Sequence, residues 1–225
     1  MIMSFYPIFI NIQGRKCVVV GGGKVACRKI KALCQYGADI EVVSPWFTDE
    51  IEQLSLKGMV TLKRKSYTSD DLGNAFIVFA ETDSKEINAA VAKDAHKMNI
   101  LLNCGDDVPN SSFISPAVYQ DGDLSIAIST GGAFPKLTQR IKKQLEKQYD
   151  GRYSAILNCL GQLRQKALCS IKNDQVRKEL FDKVIEDDMI QIALSKGIEI
   201  YEQKINETFE EYYNEQDSST GFQGK

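Results

Sequence analysis

CVVVGGGKVA, the stretch from Cys17 to Ala26, decides the fold of this chain. It opens with four apolar residues rich in β-branched side chains, a run too short for a helix that predicts a buried strand. A second apolar run, IEVV, follows at residues 40–43 and predicts a second strand. Between the two strands, apolar residues spaced as one helical stripe precede Gly37, which stands where a helix C-terminal cap belongs. The stretch therefore predicts a βαβ unit.

The glycines between the first strand and the helix suit a dinucleotide. Gly21 allows the tight reversal of the chain, Gly23 lets the backbone approach a pyrophosphate, and Ala26 permits close packing of helix on strand. The N–H groups at the helix start then face the phosphates at the positive end of the helix dipole. The residues of this predicted dinucleotide site are Gly21, Gly22, Gly23, Lys24 and Val25. A glycine turn that binds nothing is the alternative interpretation.

The end of the second strand leaves the type of cofactor open. An acidic residue that holds the ribose hydroxyls belongs there, whereas this chain has Ser44 and Pro45. A serine can hydrogen-bond a ribose hydroxyl, yet it excludes a 2′-phosphate less firmly than a carboxylate does. Both residues are predicted to contact the cofactor, and the choice between NAD and NADP stays open on physical grounds.

Composition and charge argue against several classes of protein. The 225 residues are 43% hydrophobic and 26% charged, and the net charge of −2 gives no general attraction to nucleic acid or to membranes. No apolar run approaches the ~20 residues of a membrane span, and the first residues lack the features of a signal peptide. We therefore expect a cytoplasmic protein with no nucleic-acid and no membrane partner. Six cysteines without CxxC spacing and one histidine give no reason to expect a metal site built by the protein.

Strands and helices alternate up to about residue 113, which predicts an α/β fold with a Rossmann-type, doubly wound parallel sheet. An alternating segment at residues 6–14 is predicted to add a hairpin strand. In sheets of this type, ligands lie beyond the carboxyl ends of the strands. Those ends are therefore expected to converge on one crevice, where Thr82 and Asn103 join the glycine turn as cofactor contacts.

The pattern changes after residue 113. Two alternating runs, at residues 113–119 and 124–129, are joined by an Asp-Gly pair that predicts a hairpin. From residue 151 onward, apolar residues recur only at helical spacing, which predicts a small helical domain. The polar end of the chain, from Asn214, is expected to be disordered.

A second glycine turn follows the predicted hairpin. Thr130, Gly131 and Gly132 stand just before a basic amphipathic helix that begins near Pro135, a residue suited to the first turn of a helix. Backbone N–H groups of this turn are predicted to face an anion, such as a substrate carboxylate. A plain loop with a helix cap is an equally weighted alternative.

Taken together, several segments resemble the siroheme-synthase dehydrogenase family, the NAD-dependent precorrin-2 dehydrogenases. They occur in the same order as in that family, from about Tyr6 to about residue 165. The segments are PIF at residues 7–9, VVGGGKVACRK at 19–29, ETD at 81–83, NCGDD at 103–107, SFISPA at 112–117 and ISTGGAFP at 128–135.

The resemblance implies oxidation of precorrin-2, a tetrapyrrole, to sirohydrochlorin with NAD, on the route to siroheme or cobalamin. Some members of the family also act as sirohydrochlorin ferrochelatases that insert Fe²⁺ or Co²⁺, whereas others only dehydrogenate. The family fold implies a dinucleotide-binding Rossmann domain at residues 1–113, a dimerisation region with exchanged strands at 114–149, and a helical domain at 150–225. A homodimer is expected on the same ground.

The important aspartate of the family falls on Asp106, at the carboxyl end of the fifth predicted strand. A carboxylate there could accept a proton from the tetrapyrrole as hydride leaves to the cofactor, or accept pyrrole N–H protons during metal insertion. The alternative is that Asp106 and Asp107 only cap a turn before Pro109. The many carboxylates of the substrate need N–H-rich or cationic contacts, for which the turn at residues 130–132 is the predicted site.

Two other functions fit the same sequence features. One is a chelatase or metal-delivery protein that uses the same pocket with little redox activity. The other is a non-catalytic dinucleotide sensor, as in the regulatory Rossmann domains of transporters. A sensor would need neither an aspartate beside the nicotinamide nor a helical domain closing over a bulky ligand.

Overall fold

The structure, a computed structural model, describes residues 5–105 and 107–220, with side chains as far as residue 214. The chain divides into two compact units between Ser115 and Pro116. The predicted division into parts at residues 1–113, 114–149 and 150–225 stays a prediction.

The first unit is built on a parallel sheet, whose five strands within the described residues are the short apolar runs of the sequence. They are β1 (Lys16–Val20), β2 (Asp39–Ser44), β3 (Thr61–Arg64), β4 (Ile77–Ala80) and β5 (Leu101–Cys104). Their order across the sheet is β3-β2-β1-β4-β5, and every neighbouring pair is parallel. The helices of this unit are α1 (Lys24–Gln35), α2 (Asp49–Leu56) and α3 (Lys85–Lys97). The predicted doubly wound parallel sheet is confirmed.

Both faces of the sheet are covered, as a parallel sheet requires. Alternate residues of each strand point to opposite faces, so Val19 packs in the core that includes Ile30 of α1, and Val18 packs in the core that includes Val91 of α3. All four of these side chains are fully buried. The β-branched runs of the sequence therefore fill two separate hydrophobic layers.

The strand register aligns the carboxyl ends of the central strands. Val20 of β1 pairs with Val43 of β2 and with Ala80 of β4, and Ala80 pairs with Cys104 of β5. The residues that follow these four positions consequently share one edge of the sheet. We call this the carboxyl edge.

The segment before β1 differs from its prediction. Residues 5–12 form no strand and residues 13–14 form a turn, so the predicted hairpin strand at residues 6–14 is wrong within this chain. Ile8 and Ile10, which alternate as a strand face would, are exposed, and only Ile12 is buried. An alternating pattern supplies a face but not a partner, and a strand forms only where a neighbour offers its N–H and C=O groups.

The second unit begins with a hairpin, as predicted. β6 (Ala117–Asp121) and β7 (Leu124–Ile128) pair antiparallel, and Gly122 between them takes a positive φ of 54°. This is the backbone conformation for which the Asp-Gly pair is suited. The next element, α4 (Pro135–Gln148), contacts both strands of the hairpin.

The remaining elements of the second unit are helices, as predicted. They are α5 (Arg152–Ser170), α6 (Asp174–Val184), α7 (Asp187–Lys196) and α8 (Ile198–Thr220). A single core that includes Leu180, Tyr201 and Phe209 holds them together. α8 continues through Asn214, where the sequence predicts disorder to begin, and ends at Thr220.

Among the helices described here, none combines the length and the apolar character needed to cross a membrane.

Candidate active site at the carboxyl edge of the sheet

Two glycines of the turn after β1 are required by the surrounding backbone. Gly21 has a positive φ of 131°, and a Cβ built on it would lie 2.2 Å from the carbonyl oxygen of Glu81. A Cβ built on Gly22 would lie 1.8 Å from the carbonyl oxygen of Trp46. Backbone cannot withdraw as a flexible side chain can, so neither position accepts a larger residue. The prediction that Gly21 makes the strand-to-helix reversal agrees with this geometry.

Gly23 is different, because the protein itself leaves space beside it. It is the N-cap of α1 with an ordinary φ of −85°, and a Cβ there would meet only the edge of the Trp46 ring, at 3.7 Å. Neither backbone strain nor crowding within the chain therefore requires a glycine at this position. A Cβ would instead occupy the space in front of the helix, which is where a bound phosphate would approach.

The start of α1 is also suited to an anion. The helix begins without a side-chain cap and without an acidic residue in its first turn. Its first N–H groups have no carbonyl one turn back to bind, and they lie at the positive end of the helix dipole. Lys24 and Val25 are exposed there. The open space at Gly23 and these free donors fit the pyrophosphate of a dinucleotide.

The end of β2 is held against the glycine turn. Ser44 is buried, and its Oγ lies 3.4 Å from the backbone N–H of Trp46, which donates to it. The Ser44 hydroxyl, which is predicted to bind a ribose, therefore already accepts a hydrogen bond within the protein. Pro45 is exposed beside it. A role for Ser44 and Pro45 in cofactor binding stays a prediction.

Thr82 and Asn103, the two other predicted cofactor residues, are both held by protein contacts. Thr82 donates from its hydroxyl to Oδ1 of Asn88 at 2.7 Å. Asn103 is buried, and its amide donates to the carbonyl of Phe113 at 3.0 Å. Both residues lie at or next to the carboxyl edge, yet a contact with cofactor stays a prediction for each.

A cluster around Lys29 was not predicted. The Lys29 ammonium donates to Oγ of Ser115 at 2.8 Å and to Oδ1 of Asn103 at 3.2 Å. It also lies 3.8 Å from a carboxylate oxygen of Glu81, and it stands over the ring of Phe79. The sequence holds a signal for it, because Lys29 falls three residues after Ala26 and one before Ile30, on the apolar stripe of the helix.

Burial controls the ionisation of this cluster. The Glu81 side chain is 3% exposed and the Lys29 side chain 24% exposed. Burial lowers the pKa of the Lys29 ammonium, while Glu81 opposes that shift and Arg28 adds to it. Burial also disfavours the charged form of the Cys104 thiol and so raises its pKa, and the charges of Asp107 and Glu81 raise it further. Lys29 and Cys104 therefore lie in surroundings that disfavour their charged forms.

Asp106, the predicted catalytic residue, lies outside the described residues. On its amino side, Gly105 donates to the carbonyl of Ala80 at 3.1 Å. On its other side, Asp107 caps the short turn of residues 108–110, accepting from the backbone N–H of Asn110 at 3.3 Å. The capping role weighed for this pair of aspartates is thus filled by Asp107.

Comparison with known proteins agrees with this architecture. Residues 8–117 match the family described as NAD(P)-binding, and residues 121–148 match the family described as sirohaem biosynthesis protein central. The precorrin-2 dehydrogenase of Priestia megaterium is 36% identical over 199 residues, which cover 88% of this chain and 97% of that protein. The chain belongs to the precorrin-2 dehydrogenase family.

A solved structure shares the fold of this family member. The structure of SirC, a precorrin-2 dehydrogenase, superposes with a TM-score of 0.76 at 32% identity, covering 92% of this chain and 100% of that one. Longer relatives match as well, such as the siroheme synthase of Psychromonas ingrahamii at 33% identity over 87% of this chain. This chain spans only 41% of that synthase and 42% of the siroheme synthase of Pseudoalteromonas atlantica.

In this member of the precorrin-2 dehydrogenase family, the second glycine turn is an exposed loop of the second unit. Gly131 and Gly132 both take positive φ values, of 61° and 85°. The hydroxyl of Thr130 accepts from the backbone N–H of Phe134 at 3.1 Å, just before α4. The segment is an exposed loop, but no described side chain caps the start of α4, whose N-cap is Phe134. Binding of substrate at Thr130, Gly131 and Gly132 stays a prediction.

The described side chains contain no group of three or more His, Cys, Asp or Glu residues placed to hold a metal ion.

Proposed function

We propose that this chain oxidises precorrin-2 to sirohydrochlorin with NAD. The observation that carries the proposal is the glycine turn, with its open space at Gly23, in a chain that matches the Priestia megaterium precorrin-2 dehydrogenase over nearly its whole length. NAD, when bound, supplies the acceptor for a hydride. The protein has to hold the dinucleotide, orient the tetrapyrrole and take up a proton.

Holding the dinucleotide falls to the turn after β1. The N–H groups at the start of α1 are free to bind phosphate oxygens, and Gly23 offers no side chain to obstruct them. Gly21 and Gly22 fix the turn from behind, because each is pressed against a carbonyl of a neighbouring segment. The turn is thus rigid on its protein side and open on its ligand side.

The oxidation removes two hydrogens from the tetrapyrrole, one as hydride to NAD and one as a proton to a base. Asp106 is the proposed base, since it comes two residues in the sequence after β5, whose carboxyl end lies at this edge of the sheet. Its carboxylate would accept the proton and then release it to solvent. The partly exposed ammonium of Lys29 lies at the same edge and would favour the ionised form of nearby carboxylates.

Turnover tests the proposal directly. Purified chain is mixed with precorrin-2 and NAD, and NADH and sirohydrochlorin are followed by absorbance. We expect stoichiometric formation of both. Asp106→Asn should lower kcat at least a hundredfold with little change in the Kd for NAD, whereas Asp107→Asn, the matched control, should keep most activity. NAD binding without turnover in the wild type would instead support a dinucleotide sensor.

We also propose that the chain is a homodimer. Its α4 carries an apolar stripe that the described part of the chain does not fully bury: Leu137 is 44% exposed, and Ile141 and Leu145 are only partly buried. A second copy would cover this stripe and so remove apolar surface from water. Light scattering coupled to size-exclusion chromatography should give twice the monomer mass, and Leu137→Glu should shift it toward the monomer.

A cytoplasmic location and the insertion of Fe²⁺ or Co²⁺ into the product stay predictions from sequence and resemblance. Adding either metal to sirohydrochlorin with and without the protein tests the second of these.

A further inference from the structure

Trp46 is the only tryptophan in the chain, and it stands two residues after the end of β2. Its side chain is 55% exposed, although the next residue, Phe47, is buried in the core. Exposure of a single large apolar residue is common on protein surfaces and by itself carries no argument. The inference depends instead on where the indole ring lies and on how firmly the backbone of Trp46 is held.

The backbone of Trp46 is fixed against the glycine turn. Its N–H donates to the buried hydroxyl of Ser44, and its carbonyl oxygen packs where Gly22 would carry a side chain. Two residues on, the N–H of Thr48 donates to the carbonyl of Gly22 at 3.0 Å. Before Trp46, the N–H of Gly21 donates to the carbonyl of Val43 at 2.9 Å, so the segment from β2 into α2 is held to the turn on both sides of Trp46.

The ring of Trp46 borders the open space of the site. Its Cη2 atom is the nearest neighbour, at 3.7 Å, of a Cβ built on Gly23, the N-cap of α1. A phosphate bound at that N-cap would consequently have the indole beside it. In a sheet of this type the end of β2 lies on the adenosine side of the dinucleotide, because its residues meet the adenosine ribose.

We propose that the indole of Trp46 is the stacking platform for the adenine of the dinucleotide. This inference rests on the proposed function, namely that the glycine turn binds NAD. An adenine ring offers a flat π-face with no charge, which suits stacking on an exposed aromatic surface. Because the backbone of Trp46 is already fixed, little backbone entropy is lost when the base arrives.

Fluorescence tests this contact without any turnover. Because Trp46 is the sole tryptophan, its emission reports on this one position. The full chain is titrated with NAD, with ADP and with nicotinamide mononucleotide, while calorimetry measures the Kd for each. We expect NAD and ADP to quench the emission to a similar extent, and nicotinamide mononucleotide to leave it nearly unchanged.

Variants measure how much the ring contributes. Trp46→Leu should raise the Kd for ADP and for NAD about tenfold, and Trp46→Phe should recover most of the loss, since base stacking on an aromatic ring is of that size. The KM for NAD should rise with little change in kcat, because the contact is made equally in ground state and transition state. Tyr36→Leu is the matched control: Tyr36 is also an exposed aromatic residue, at the opposite end of α1, and this variant should bind as the wild type does.

The outcomes separate this inference from the function on which it rests. If calorimetry detects no binding of NAD or ADP, the proposed function fails together with the inference. If NAD binds but the emission is unchanged and Trp46→Leu binds as tightly as the wild type, only the inference fails. Quenching by nicotinamide mononucleotide and not by ADP would also overturn it, because the ring would then contact the other half of the cofactor. Circular dichroism of Trp46→Leu checks that the exposed substitution leaves the fold intact.

Discussion

The ammonium of Lys29 lies 3.8 Å from the carboxylate of Glu81. Lys29 belongs to helix α1, and Glu81 directly follows strand β4 of the sheet on which that helix packs. The contact is enclosed, since Glu81 is almost fully buried and Lys29 makes further hydrogen bonds to Ser115 and Asn103. A helix and a sheet strand are thus joined by a charged contact next to the predicted catalytic loop. A buried carboxylate is costly unless a cation or donors compensate it.

Removing this ammonium should therefore destabilise the fold. We expect Lys29→Met to lower the free energy of unfolding by about 1–3 kcal/mol, less than for a fully buried pair because the Lys29 side chain is partly exposed. Urea unfolding followed by circular dichroism measures it. Lys31→Met on the same helix removes an exposed ion pair with Glu50, which solvent screens, and should leave stability nearly unchanged. If both variants lose the same free energy of unfolding, the contact of Lys29 with Glu81 contributes no more than an exposed ion pair, which would contradict this prediction.

Neighbouring glycines of the first turn should have separable effects. Gly22→Ala places a methyl group on the carbonyl of Trp46 and should destabilise the protein by several kcal/mol, on the order of the cost of severe overpacking. Gly23→Ala meets only the edge of a ring, so its melting temperature should stay close to that of the wild type. Its Kd for NAD should nevertheless rise at least tenfold, because the methyl group enters the phosphate space. Calorimetry and thermal unfolding of both variants measure these effects. If Gly23→Ala binds NAD as tightly as the wild type, the space beside Gly23 is not part of the NAD site.

The extent to which the sequence predicts this structure depends on how local the signal is. The βαβ unit around Gly21 is predicted well, because strand, turn, helix and cap each leave a pattern within a few residues. The segment at residues 6–14 has an equally clear alternation, yet no partner strand exists within the described chain to complete it. Pairing is a property of two segments, and one of them alone cannot establish it.

The same distinction holds in the site. Ser44 and Asn103 occupy the edge that the sequence predicts, but their side chains bind Trp46 and Phe113 rather than facing open space. The contact of Lys29 with Ser115 spans 86 positions of the chain. No local pattern encodes which polar atoms meet across such a distance, so the cluster emerges only from the folded structure.

The buried thiol of Cys17 should make stability fall in alkaline solution. Cys17 is fully buried in β1, and burial, with a contribution from Asp39, raises its pKa from 9.0 to about 11. Between these values the unfolded chain has lost the proton that the folded chain keeps, so the free energy of unfolding decreases as pH rises from about 9 to 11. The slope from this one group is at most about 1.4 kcal/mol per pH unit. Cys17→Ala should lose this slope, whereas Cys169→Ala, at an exposed position, should keep it. Identical pH profiles for wild type and Cys17→Ala in urea unfolding would contradict the assignment.

Discrimination between NAD and NADP should depend on the pairing of Arg64. This residue stands beside Ser44 in the register of β3 with β2, at the edge where a 2′-phosphate of NADP would approach, and an arginine there would favour that phosphate. Its guanidinium instead forms an ion pair with Glu52 of α2 and lies 5.0 Å from the centre of the Phe47 ring. The carboxylate both neutralises the arginine and would repel the extra phosphate.

Glu52→Gln should accordingly improve the affinity for NADP about two- to fivefold, as expected for an exposed charge pair, and leave the affinity for NAD unchanged. The gain should shrink at high salt, since exposed charges are screened. Glu50→Gln is the control, because Glu50 lies on the same helix but pairs with Lys31. Calorimetric Kd values for both cofactors at two ionic strengths measure the effect. An equal gain in both variants would reflect only the lost negative charge on α2, and would show that the pairing of Arg64 does not set the preference.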